Sequence, residues 1–272
     1  MGSLDNFIDD RLLHGRSHFD RKEAAAALDL KPESLTAAIT RLAKKRRLVM
    51  PRHDFYLILR AEDQKSGAPD PVRWIDPLMK HQGIDYRVSL LRAASFHGSS
   101  HQAAMIFQVI APKQLRDFEI GRHRIQFIYQ APKSFEKANQ SDHLNQMKSD
   151  AGFAKVAGVE LTLLDCVRYF HKASGINGVA QIVKDIGQKA QPLALAKAAL
   201  IYENSAVRRL GYLLDWSGHS QQARVLETFV KKSKTTVLLD PSVKPIIKSL
   251  SESHERNVKW KLLINEPVEV DF

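Results

Sequence analysis

The spacing of hydrophobic positions in the first sixty residues predicts three helices followed by two strands. Leu4, Phe7, Ile8 and Leu12 recur at three- and four-residue intervals, as on a helix with one buried face. Phe19, Asp20, Arg21, Lys22 and Glu23 read as a second helix start. Asp20 can accept from the free amides of the first turn, and Glu23 can reach back to the Asp20 amide. That helix is short and Ala-rich over 23–28. Asp29, Leu30 and Lys31 interrupt it, and Pro32 suits the first turn of a third helix. There Leu35, Ala38, Ile39 and Leu42 make one apolar stripe. Two strand-like runs follow, 48–50 and 55–59, with Pro51, Arg52, His53 and Asp54 as the turn between them. Supporting helix, short helix, turn, helix and hairpin together predict a winged helix-turn-helix over 1–62.

Residues 61–71 are polar and rich in chain breakers, which ends this first domain. Tyr86, Arg87, Val88 and Ser89 then lead into an apolar helix reaching about His97. Residues 105–111 read as a strand, and 118–120 with 123–130 as a hairpin about Gly121 and Arg122. From 160 to 232 the pattern is almost wholly helical, with breaks near 175–178, 191–192, 204–205 and Gly218. Residues 237–239 and 258–264 are strand-like. The expected class is α+β: a winged helix-turn-helix followed by a larger mixed α/β domain over 72–272 with a helical C-terminal half.

Composition narrows the function classes. The chain has 272 residues, 44% hydrophobic and 26% charged, the balance of a soluble globular protein rather than a disordered one. No apolar run is long enough for a membrane span, and the N-terminus is acidic within ten residues and lacks an apolar signal core. Gly2 and Ser3 suit a cloning remnant. Position 6, where a myristoylation signal wants Ser or Thr, is Asn6. A cytoplasmic protein with no membrane partner is expected. The single cysteine, Cys166, excludes an internal disulfide and a zinc site built on several thiolates.

The net charge of +11 is spread along the chain, but one stretch is dense. Arg41, Lys44, Lys45, Arg46, Arg47 and Arg52 fall within twelve residues that hold no carboxylate, more than a solvated helix face needs. With the third helix in a major groove, Ser34, Thr36, Ala37, Thr40 and Arg41 are expected to face bases. Lys31, Lys44, Lys45, Arg46, Arg47 and Arg52 would hold phosphates, with His53 at the wing tip. A small helical dimerisation domain is the alternative reading of the same segment.

Catalytic and metal patterns are incomplete. His97 and His101 are four apart, but Gly98 lies between them and no Glu completes an HExxH. His97 is expected to pack or cap the end of its helix. Gly175, Ile176, Asn177 and Gly178 lack a third glycine, and neither a GxSxG elbow nor a Walker A loop occurs. Gly98 and Ser99 with Asp117 and Glu119 supply the residue types of a nucleotidyltransferase at too wide a spacing. Asp117 and Glu119 read instead as the solvent side of a strand. The acid-x-Lys pairs Asp20/Lys22, Asp29/Lys31 and Asp63/Lys65 fall in caps, turns and the linker, not on a strand. No enzyme activity, metal or cofactor is expected. Asp165 is expected in a structural hydrogen bond, and Cys166 in the core.

Four short motifs in order add a family resemblance. Tyr86, Arg87, Val88 and Ser89 with Ala93, Ala94, His97 and Gly98 resemble the YxSxxxAxxxHG stretch of AbiEi-type antitoxins. Val159 to Asp165 is similar to their ERTLLD segment, with Leu161 standing where the arginine would be. The run from Arg208 to Leu214 resembles their RRLGYLLE helix, and Trp260 to Asn265 their final strand. The resemblance implies a DNA-binding domain joined to an antitoxin domain, repression of the chain's own promoter, and suppression of a nucleotidyltransferase-like toxin without a stable complex. This is the arrangement of type IV systems, with a role in phage defence. Arg208 and Arg209 become candidates for the second domain's function, with at least one expected exposed. The departure at Leu161 removes whatever the arginine does. A dimer, or two copies on inverted repeats of promoter DNA, is expected. The competing expectation is a winged-helix regulator whose second domain binds a ligand or protein and has no toxin.

Overall fold

A computed structural model describes residues 3–99, 106–149, 152–231, 233–243 and 255–270. Its first part follows the local signals closely. Helix α1 is Leu4–Leu13, strand β1 His18–Asp20, helix α2 Arg21–Leu28 and helix α3 Pro32–Lys44. Strands β2 (Leu48–Arg52) and β3 (Phe55–Ile58) make the wing. The Asp20 carboxylate accepts from the Glu23 amide at 2.8 Å, and the Glu23 carboxylate accepts from the Asp20 amide at 2.9 Å. Pro32 opens α3, and Asp29 ends α2 in the left-handed conformation that a short polar side chain tolerates. Leu4, Ile8, Ala24, Leu28, Leu35, Ile39 and Leu42 form one core with Phe19, Tyr56 and Ile58.

The three strands pair antiparallel in the order β1-β3-β2. All four residues of β3 are buried, where a surface hairpin would alternate. Tyr56 and Ile58 join the helical core, while the Phe55 ring lies between His18, stacked at 5.5 Å, and His81 at 5.4 Å. Strand β3 is therefore covered on both faces.

Residues 61–71 are an ordered strap. Asp63 is buried, accepts from the Arg60 amide at 3.1 Å and meets the Arg73 guanidinium at 3.4 Å. The Arg122 amide donates to the Ser66 carbonyl at 2.7 Å. Gly121 is required at that crossing: φ is +56°, and a Cβ would stand 2.1 Å from the Ser66 oxygen. Contact density places residues 1–88, 105–131 and 146–156 in one compact unit, and residues 89–104, 132–145 and 157–272 in another.

A six-stranded mixed sheet has β4 (Arg87–Val88) and β5 (Ile106–Ala111) near its middle. The others are β6 (Phe118–Ile120), β7 (His123–Tyr129), β8 (Leu144–Ser149) and β9 (Gly152–Ala157), in the order β6-β7-β5-β4-β9-β8. The expected hairpin about Gly121 is β6–β7, antiparallel. The expected 105–111 strand is described from Ile106, Met105 lying outside the described residues. Asp117 precedes β6 and accepts from the Phe127 amide at 2.8 Å, while Glu119 is exposed. Helix α4 (Ile75–His81) precedes the sheet, α5 (Leu90–Phe96) follows β4, and α6 (Pro132–Ala138) follows β7.

The helical half comprises α7 (Val159–Arg168), α8 (Gly175–Ile186), α9 (Pro192–Ala199), α10 (Asn204–Trp216), α11 (Ser220–Arg224) and α12 (Glu227–Lys231). The break expected at 175–178 lies earlier, and Gly178 is inside α8, where a Cβ would meet the Ala173 oxygen at 2.7 Å. The strand expected over 258–264 is a reversal. Strands β11 (Glu255–Asn257) and β12 (Leu262–Ile264) flank a turn, with β10 (Val237–Leu238) parallel to β12. The turn is driven by Trp260, which buries its ring against Gly211 and donates its indole N–H to Asp215 at 2.7 Å.

Burial pushes the His18 imidazole down to about 4 from its ordinary 6.5. Between those values the unfolded chain takes up a proton that the folded chain refuses, so this contribution is lost as pH falls through the window. We expect His18→Phe, which keeps the stack on Phe55, to weaken the fall in stability between pH 6.5 and 4. Urea unfolding across that range checks it.

Candidate nucleic-acid interface

The solvent side of α3 carries the residues expected to face bases: Ser34, Thr36, Ala37, Thr40 and Arg41 are all exposed. Its helical spacing opposes the buried stripe of Leu35, Ile39 and Leu42. Two of these side chains are held in place. Thr36 donates its hydroxyl to the Pro32 carbonyl at 2.8 Å and accepts from Arg21 at 2.5 Å, and Thr40 donates to the Thr36 carbonyl at 2.9 Å. Both hydroxyl protons are spent inside the helix, so these threonines offer a partner a methyl group and a spare lone pair. Ala37, Thr40, Arg41, Lys44 and Lys45 line a shallow hollow of about 510 Å³.

The six cations of the dense stretch separate into three groups. Lys44, Lys45 and Arg46 are exposed and have no acidic partner among the described residues, as is also true of Lys31 at the start of α3. Arg41 and Arg47 face α1: Arg41 meets Asp5 at 3.4 Å, and Arg47 meets Asp9 at 2.5 Å and Asp5 at 3.9 Å. Arg52 is turned away from its expected phosphate role. Its guanidinium donates to the Arg116 carbonyl, lies 4.2 Å from the Phe118 ring centroid and 5.9 Å from that of Phe127, and is half-buried. Burial lowers its pKa, against the pull of Asp117. A planar guanidinium gains more from two rings and a carbonyl than from water alone. His53 stands exposed at the wing tip beside Asp54, at 3.3 Å.

Asp5 and Asp9 are the residues beside this candidate face that sequence reasoning missed. They stand one turn apart and one residue past the buried pair Leu4 and Ile8, so both lie on the rim of α1 next to its inward face. That offset was the available signal.

In the other unit, Arg208 and Arg209 are not exposed as expected. Arg208 is buried and donates to the carbonyls of Thr235 at 2.8 Å and Lys261 at 3.2 Å, and Arg209 donates to the Leu238 carbonyl at 3.0 Å. Both tie α10 to the chain of the terminal sheet. Asp165 is buried and accepts from Ser89 at 2.7 Å and Tyr202 at 2.6 Å, and Cys166 is buried beside it. His97 ends α5 and bonds the Ala157 carbonyl at 2.7 Å. His101 lies outside the described residues, among which no cluster of metal-ligating side chains occurs. Nor is any described helix long and apolar enough to cross a membrane.

Arg208→Met removes the donor from two carbonyls and is expected to destabilise the fold by about 2 kcal/mol, read from urea unfolding. Unchanged stability would return Arg208 to the list of contact residues.

Residues 87–216 match the family model described as the AbiEi antitoxin C-terminal domain. Among solved structures, the chain is similar to the crystal structure of the RV2827C protein from Mycobacterium tuberculosis. The TM-score is 0.62 at 14% identity, over 94% of this chain and 89% of that one, a likeness of fold. No curated protein matches the chain.

Proposed function

With an AbiEi antitoxin C-terminal domain over residues 87–216, the chain is of the AbiEi-type antitoxin family, and on that premise we propose a repressor of its own promoter. The family is regulatory and non-enzymatic, and its domain supports an antitoxin role in a toxin–antitoxin system. The observation that carries the DNA reading is the exposed face of α3, bearing Ser34, Ala37 and Thr40 and flanked by the uncompensated Lys44, Lys45 and Arg46. Small side chains admit the helix to a major groove, while the cations at its C-terminal end reach the neighbouring phosphates. Arg41 and Arg47 join them once a phosphate replaces their carboxylates. Arg52 has no part, and the wing reaches the backbone only through His53.

Two copies on inverted repeats would match the way such helices read DNA. The toxin, a nucleotidyltransferase-like protein, would be counteracted without a stable complex. The second unit then acts on the toxin's effect rather than by covering it.

Fluorescence anisotropy on the chain's own upstream DNA and on a scrambled duplex tests the repressor. We expect at least about a thousandfold preference for the upstream DNA. Lys44→Ala, Lys45→Ala and Arg46→Ala should each make the salt slope shallower by about one. Arg52→Ala should leave the slope as it is. Equal, steeply salt-dependent binding to both duplexes would sink promoter recognition and leave a generic phosphate attractor.

A further inference from the structure

Helix α1 places two carboxylates against the cations of α3. Asp5 and Asp9 are each partly exposed, at 34% and 55% of their side-chain surface, and lie within ion-pair distance of Arg41 and Arg47. Nothing in the core requires them there. Leu4 and Ile8 bury α1 by themselves, and Phe7 and Leu12 supply the remaining packing. Exposed pairs of this kind contribute little to stability, about 0–1 kcal/mol. Their effect is on charge: two of the five basic residues at the end of α3 are neutralised from within the chain, while Lys44, Lys45 and Arg46 are left open.

We propose that Asp5 and Asp9 form an electrostatic latch, holding Arg41 and Arg47 back from random phosphates and releasing them only when α3 is seated in its own site. This rests on the DNA-binding reading above. An arginine already paired with a carboxylate adds little to the counterions released on a generic duplex, and the carboxylate repels the backbone it approaches. On the correct site, base contacts along α3 supply free energy that an arbitrary sequence lacks, and the latch opens at small cost. The latch therefore acts on discrimination: it lowers non-specific affinity more than specific affinity.

The full chain, Asp5→Asn/Asp9→Asn, and Asp5→Glu/Asp9→Glu are titrated by anisotropy against upstream and scrambled duplexes over a salt series. A further double variant, Glu136→Gln/Glu269→Gln, makes the same change in net charge in the other unit and controls for it. We expect the asparagine variant to bind the scrambled duplex about tenfold more tightly at low salt, with a slope steeper by about two. Its preference for upstream DNA should fall at least about threefold, because the parent's arginines are already released on that site, where the variant gains only the small cost of opening the latch. The glutamate variant and the control should follow the parent chain. An asparagine variant with the parent's slope and affinity, or with the change seen equally in the Glu136/Glu269 control, overturns the latch. If the folded parent and variant both ignore DNA at low salt, the DNA reading fails first and the latch with it. A parent that binds and a variant that binds identically isolates failure of the latch. Should the asparagine pair fail to fold by circular dichroism, Asp9→Asn alone, acting on the closest pair, is expected to steepen the slope by about one.

Discussion

A buried carboxylate must have its oxygens met by hydrogen-bond donors, and Asp165 sets that demand for the helical half of this protein. Its donors come from far along the chain: Ser89 at the start of α5 and Tyr202 just ahead of α10. Presenting Ser89 takes an unusual backbone, since Leu90 beside it holds φ at +56° while fully buried. Two further ties gather at the end of β9, where His97 and Thr162 both bond the Ala157 carbonyl. Two of the short motifs that suggested the family, the one carrying Ser89 and His97 and the one carrying Thr162 and Asp165, thus meet in space. The order of the motifs along the chain reflects a convergence in space, and Leu161 is compatible with it because its position is wholly buried.

Features decided within one turn were legible in the sequence. The Asp20–Glu23 box, Pro32 at the head of α3 and the stripe of Leu35, Ile39 and Leu42 depend on neighbours three or four residues away. Features decided across the chain were not. Strand β8 has an intermediate-and-exposed pattern with polar side chains, so no periodicity marks it, and its place at a sheet edge explains why none is needed. The 258–264 run looks like one strand but is not, because Trp260 turns the chain to reach a gap that Gly211 leaves on α10. Nothing local announces that gap.

The candidate site shows the same division with a different cause. The residues of the α3 face are where helical geometry puts them, because burial of one stripe fixes the direction of the other. The charges are not, because charge counted along a sequence ignores what folds across it. Asp5 and Asp9 cancel Arg41 and Arg47 from more than thirty residues away, and two aromatic rings and a carbonyl claim Arg52. The local field is consequently weaker and more asymmetric than six adjacent cations suggest, concentrated after the end of α3 rather than shared with the wing.

The double-sided burial of β3 bears on how this molecule can be taken apart. Residues 1–62 look self-sufficient when only their helical core is considered. A fragment ending there would nevertheless lose His81 from the ring of Phe55 and the Phe118 ring from Arg52, leaving the back of its hairpin bare. Such a piece would carry an adhesive strip beside α3. Self-association of the fragment would then report the cut rather than the architecture of the intact chain, and stoichiometries drawn from it would include contacts through a face that the whole chain keeps covered.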